Sequence, residues 1–411
     1  MKNLIIKFLA ILLISMNSGS LIAQYTFFNP EVGFAIEVSL PNTHLKRLPI
    51  YRNSISSLIV IDDFIIGGTS AKEGLAPYIF IASLDKRKVI NLQDLNEIIK
   101  GQRSLTSGFS RGKDNSIFAG TIANQNEDGS EGGGHLIQID VGTEGEIKVE
   151  DLGVPIPGEG IFTLLGNSEG TMLYGITTPS GKFFQYDIQD KEVKIFNDIS
   201  PKEKDLKKLN EYALKPENYL GKALIQDNEG LIYGSMPINK VFYFNPENQS
   251  FKILEDHLPV VWGRRVLGQV ESWAKAEDGT LYGGNAGDGQ LFKLDPITKE
   301  VTNLGKPIMM NRLRGLTFGK DGKLYGIAGA LPGYSHLISY NPETGGYLDL
   351  GNPEFPMVAP GIEQGILWRG FQLETITSSE DGKYIIMGED ESLSQLLIFA
   401  VGQKNPGRRG F

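Results

Sequence analysis

The chain has no cysteine, and only 4 histidines and 3 tryptophans among 411 residues. It can therefore form no disulfide, no thiolate metal site and no thiol nucleophile, so its stability must come from core packing and hydrogen bonding. Four scattered histidines give no zinc-type ligand cluster. There is no excess of basic residues either: Lys and Arg number 40 against 49 Asp and Glu, a net charge of −9. Bulk charge of that sign argues against nucleic acid and anionic membrane surfaces as partners. The phosphate-cradling Walker spacing does not occur.

Long apolar runs are absent beyond the first residues. "MKNLIIKFLAILLISMNSGSLIAQ" places Lys2 and Lys7 before an apolar run that ends near Ile14, followed by small residues up to Ala23. This is the pattern of a secretory leader, and the run falls short of the ~20 residues that a bilayer span requires. Cleavage after Ala23 is expected, with no membrane span in the remainder and a secreted or periplasmic location.

What the chain has in abundance is glycine, 50 residues of it, in a repeating context. The stretches "WAKAEDGTLYGGNAGDGQLFKLDPITKEVTNLG" (273–305) and "LTFGKDGKLYGIAGALPGYSHLISYNPETGGYLDLG" (316–351) share one plan: strand, acidic turn, "LYG", variable loop, strand, turn, strand. Weaker copies occupy 57–92, 106–141, 163–196, 224–254 and 375–401. Seven units at a spacing of roughly 43 to 62 residues fit propeller blades of four strands. The last copy stops after three strands, and "FAIEVSL" (34–40) alternates as a strand that could complete it and leave no open edge. The expected fold is all-β: a seven-bladed β-propeller of four-stranded antiparallel blades, closed by an N-terminal strand. A single domain over 24–411 follows the leader at 1–23. Two segments interrupt the repeat, a Ser-Pro helix start at 200–215 and a Pro/Gly-rich loop at 352–371.

Strand connectivity sorts the loops onto two faces. One collects acidic hairpins such as Asp227, Asp278, Asp321 and Asp381, where Asp serves turn geometry. On the other, arginine stands before the first strand of five units: Arg52, Arg103, Arg264 with Arg265, Arg312 with Arg314, and Arg369. A planar guanidinium grips carboxylate, sulfate or phosphate through two parallel hydrogen bonds. These arginines are the candidate anion-binding set, a cationic funnel on the axis; the competing reading pairs them with acids such as Glu271, Glu363 or Glu374. His135 and His336 occupy equivalent positions before the third strand of two units and are candidate proton-transfer residues. Tyr219 is a candidate acid, Glu271 and Lys222 lie on the same face, and Trp273 offers either a sugar-stacking surface or a packing aromatic. The tyrosines of "LYG" recur in every good copy and belong to the core. Oxygen ligands on the axis or in "GEDES" (388–392) could take calcium, but no EF-hand spacing is present. No cofactor is expected.

The repeats "DGTLYGG…GQLFKLDPITKEVTNLG" and "DGKLYGIAG…SHLISYNPETGGYLDLG" resemble those of secreted bacterial seven-bladed propellers that include the ulvan and oligogalacturonate lyases. The likeness covers nearly the whole mature chain and its motifs specify a blade, not a reaction. It implies β-elimination at a uronic acid, with Arg264, Arg265, Arg312 and Arg314 neutralising the carboxylate and His135, His336 or Tyr219 as base and acid. The chain departs from the oligogalacturonate type, which uses a His-rich metal site. Two functions are thus expected: a monomeric lyase of acidic polysaccharides, or a non-catalytic propeller that binds an acidic glycan or a protein partner on the same face.

Overall fold

The computed structural model describes residues 27–28, 33–38, 53–71, 77–105, 108–124, 132–209, 214–237, 239–260, 269–331, 333–353, 370–390 and 395–402. Nearly all of its regular structure is antiparallel sheet, arranged as four-stranded propeller blades. The repeat plan explains each blade. In the unit of 273–305, strands Val270–Lys275, Leu281–Asn285, Leu291–Leu294 and Val301–Gly305 pair in sequence order.

Glycine recurs in the second strand for a steric reason. Gly283 lies directly across the ladder from Phe292, whose ring folds over the bare backbone, and a Cβ there would stand 2.1 Å from the ring. The same pair recurs as Gly67 under Phe80, Gly175 under Phe184 and Gly234 under Phe242. Close packing of this kind leaves no room for a methyl group. The tyrosine of "LYG" is core, and its hydroxyl donates to the acid of the preceding turn: Tyr233 to Asp227 at 3.0 Å, Tyr325 to Asp321 at 3.1 Å. Those acids also accept backbone N–H groups within their turns, as Asp227 does from Glu229 and Leu231.

The hydrogen-bond pattern corrects the blade count. Five blades stand as separate sheets, not seven, and the strands of the first two repeats run together in one nine-stranded sheet. The junction is narrow: the single ladder pair Ser70↔Ser104, reinforced by a 2.7 Å contact between their hydroxyls. Sequence repeats report blade-sized units, and they carry no signal for a serine pair that links two of them.

The strand Gly33–Glu37 pairs antiparallel with Gln395–Ala400, as the alternation of "FAIEVSL" suggests, and completes the sheet of the last repeat. That sheet's innermost strand, Leu373–Ser378, packs against the first long strand, Asn53–Ile61. A further short strand, Phe27–Phe28, adds in parallel to Asn352–Pro353, a pairing that the sequence did not announce. The helix expected over 200–215 is one turn, Glu203–Leu206, followed by a second at Pro216–Tyr219. The leader and most of the loop at 352–371 lie outside the described residues. Among the described residues no helix is long and apolar enough to cross a membrane.

Candidate functional site

The innermost strands enclose a cavity of ≈ 880 Å³. One feature aims side chains into it. Near the start of these strands the ladder skips a residue: Ser56, Arg103, Phe162, Glu271, Arg314 and Glu374 each occupy a β-bulge. A bulge leaves one residue unpaired and re-aims its side chain, a device often found beside binding sites. The local sequences are alike: "ISSL", "QRSL", "IFTL", "VESW", "LRGL" and "LETI", with a variable residue second, a small residue third and an apolar residue fourth. "GKAL" places Lys222 at the same point of its repeat. Ser56, Phe162, Lys222, Glu271, Arg314 and Glu374 line the cavity.

Four of these residues, with Arg312 and Asp390, form a buried ionic cluster. Glu271 accepts from Lys222 Nζ at 3.0 Å and from Arg312 through two hydrogen bonds, Nε to Oε2 at 3.0 Å and Nη2 to Oε1. Its side chain is 5% exposed. Burial alone would push its carboxyl up, but Arg312, Lys222 and Arg314 together override that and hold it well below the usual carboxylate range. Arg312 itself adopts the left-handed backbone, φ 68°, which few non-glycine residues do. The variable loop meets it here, since a Cβ on Gly289 would lie 3.0 Å from the Arg312 nitrogen.

Arg314 is held at both terminal nitrogens but not at Nε. Its Nη1 donates to Asp390 Oδ2 at 2.9 Å and to the Leu373 carbonyl at 3.0 Å, while Nη2 pairs with Glu374 Oε1 at 3.1 Å. Its Nε is buried without a hydrogen-bond partner, 4.0 Å from Glu271 Oε1. Glu374 and Asp390 thus sit on adjacent nitrogens of one guanidinium, and their titrations are linked. Burial, together with the Asp390 charge, raises Glu374 to about 7 against the opposing pull of Arg314, although 32% of its side chain remains exposed. Burial would raise Asp390 as well, but its bonds with Glu374, Arg314 and Gln372 draw it down. The pair titrates as a unit.

Of the arginines expected to converge, Arg312 and Arg314 do meet, and both are paired with acids. Arg103 is exposed on its bulge, while Arg52, Arg264, Arg265 and Arg369 lie outside the described residues. The funnel is therefore not an open cationic surface in its described part: Lys222, Arg312 and Arg314 face three carboxyl groups. The histidines are placed elsewhere. His135 Nδ1 sits 2.8 Å from Asp151, and His336 Nδ1 2.9 Å from Asp349, each tying the start of a third strand to the outermost strand of its blade. In the neighbouring blade Asn303 donates to Gln290 at 2.6 Å and does the same work. Neither histidine lines the cavity. Tyr219 is buried against Leu209 and Leu220, where burial pushes its hydroxyl up, and it does not line the cavity. Trp273 is 9% exposed and packs edge-on against Phe292 at 5.4 Å, which makes it a core aromatic that only borders the cavity.

Glu374 and Asp390 are the groups that sequence reasoning underrated. The signal was the repeated tetrapeptide with one variable position, of which Glu374 is a member.

Among the described residues no group of three or more His, Asp or Glu side chains is placed to hold a metal ion. No protein-family model matches the chain. No curated protein matches it. The fold is similar to that of a catalytically inactive virginiamycin B lyase from Staphylococcus aureus solved with quinupristin, at 10% identity and TM-score 0.59, over 90% of this chain and 99% of that one. A selenomethionine-substituted form of the same lyase gives 12% identity and TM-score 0.58, over 90% and 99% of the two chains. The extracellular domain of a putative hybrid two-component system from B. thetaiotaomicron gives 13% identity and TM-score 0.54, over 89% of this chain and 39% of that one. At such identities the likeness is one of fold: a β-propeller is what this chain shares with them.

Proposed function

We propose that this chain is an exported, ligand-binding β-propeller whose central cavity receives the carboxylate of an acidic sugar, and that it binds without cleaving. The observation that carries the reading is the buried cluster of Lys222, Arg312 and Arg314 at a cavity large enough for a small ligand. Three fixed cations among carboxyl groups favour a ligand that brings its own carboxylate and hydroxyls over a bulky polyanion. The ring is read as seven-fold: the recurring tetrapeptide occurs seven times, and the nine-stranded sheet counts as two blades joined at Ser70 and Ser104. Export to the periplasm or beyond rests on the leader at 1–23.

Lyase chemistry is the second reading. It gains from Glu374, a carboxyl raised to about 7 inside the cavity beside Arg314. It loses from the histidines, which are engaged with Asp151 and Asp349 outside the cavity.

The test is calorimetric titration with galacturonate oligosaccharides and their methyl esters, alongside ultraviolet detection of an unsaturated product. Binding of the acids but not the esters, without product, supports the binding module. Arg314→Ala should then weaken binding by about 10- to 100-fold, the value of a charge-assisted hydrogen bond. Equal affinity for acids and esters overturns the carboxylate reading, and product formation overturns the non-catalytic one.

A further inference from the structure

The Arg314 guanidinium presents two unlike edges. Nη1 is fixed by Asp390 and the Leu373 carbonyl, so that edge is part of the scaffold. On the other edge Nη2 holds Glu374, and Nε has no hydrogen-bond partner. A carboxylate bound across both atoms would form the parallel two-bond fork that Glu374 does not complete. Glu374 is the replaceable partner, because it is the more exposed acid of the cluster while Glu271 is locked between Lys222 and Arg312. Asp390, held on Nη1 beside it, can accept the hydrogen bond of the protonated Glu374 once Arg314 is released.

We propose that the ligand carboxylate binds across the Nε–Nη2 edge of Arg314 in place of the Glu374 carboxylate, and that Glu374 takes up one proton from solvent as it is displaced. The site thus takes a carboxylate together with a proton, and its affinity depends on pH. This rests on the carboxylate-binding reading above.

The charged groups facing Glu374 support the direction. Arg314 comes from strand Leu313–Phe318, Asp390 follows strand Tyr384–Glu389, Glu271 comes from Val270–Lys275, and Lys222 precedes Ile225–Gln226. The packed strand Asn53–Ile61 carries no charged residue. Once a ligand carboxylate occupies Arg314, two neighbouring anions and a lost cation all favour the protonated form of Glu374. Its carboxyl is already raised in the free protein, so uptake begins near neutral pH.

The experiment titrates the full chain with trigalacturonate between pH 5.5 and 9, in buffers of different ionisation enthalpy. Affinity should be flat at the acidic end and fall about tenfold per pH unit above neutrality, with close to one proton taken up per ligand. Glu374→Gln should bind with the same affinity across this range and take up no proton. Asp390→Asn, which removes the repelling charge, should shift the fall to lower pH. Binding that is independent of pH and of buffer in the native protein overturns the proton coupling while leaving the carboxylate site intact. An absence of trigalacturonate binding at every pH overturns the site reading and the coupling with it.

Discussion

Glu271→Gln separates the stability of the ionic cluster from its function, because the two should move in opposite directions. The side chains of Glu271 and Arg314 are 5% and 4% exposed, whereas those of Lys222 and Arg312 are 20% and 26% exposed. Removing one partner of a buried ion pair costs about 3–5 kcal/mol, since the remaining charge is left uncompensated. Two of the three cations retain some water, which places the cost near the lower end, about 3 kcal/mol. With a melting entropy of about 2.1 cal/mol/K per residue, a chain of this length loses roughly 4 °C of Tm. Anion binding should strengthen at the same time. One negative charge removed at ~6 Å is worth about 0.7–2.8 kcal/mol for effective dielectric constants between ~80 and ~20, or roughly 3- to 100-fold in affinity.

The pH dependence follows from the depressed carboxyl of Glu271. Its stabilisation is fully present above the unfolded-state value of about 4.3 and is lost as pH falls toward the lower folded-state value. The Tm difference between the native protein and Glu271→Gln should therefore be constant from neutral pH to about 4.3 and narrow below it. Calorimetric melting and ligand titration of the two proteins check both halves. An unchanged Tm together with unchanged or weaker anion binding would refute the reasoning, because the cluster would then be neither compensated nor used.

Three other outcomes are expected. Gly283→Ala places a methyl group against the Phe292 ring and should cost about 1–3 kcal/mol, while Gly346→Ala, at the exposed start of strand Gly346–Pro353, should stay within about 0.5 kcal/mol; denaturant melts compare them. His336→Ala should lose about 1 kcal/mol and leave uronate binding unchanged, and His336→Gln should recover much of the loss, since Gln290 fills that role against Asn303. Removing residues 24–38 deletes the strand that pairs with Gln395–Ala400 and should sharply lower soluble yield; an undiminished Tm would show that the last sheet does not need it.

The architecture was legible because repetition exposes it. Acidic turn, "LYG" and Phe recur because several blades combine a turn acid, a tyrosine that bonds it and a glycine beneath a ring, as Asp227, Tyr233, Gly234 and Phe242 show. The closing strand was legible from period-two alternation in "FAIEVSL". The site was legible only in part. Arg312, Arg314, Glu271 and Lys222 were singled out by charge, but charge alone could not distinguish an open funnel from a compensated cluster. Glu374 was named only as one possible partner for the arginines and Asp390 only within "GEDES"; they come from either end of a hairpin in the last repeat, and only the fold brings both to Arg314. The histidines stand at equivalent positions in two repeats, and the fold gives both the same contact, a bond to Asp151 or Asp349, that the repeat alone did not reveal.

The central claim is that the axial cavity binds a carboxylate at Arg314. A crystal structure of the full chain with trigalacturonate tests it most directly. The account predicts a ligand carboxylate within hydrogen-bond distance of Arg314 Nε and Nη2, with Glu374 moved off Nη2 and still beside Asp390. A ligand seated on the rim or on the outer strands, with the Arg314–Glu374 pair intact, would contradict it.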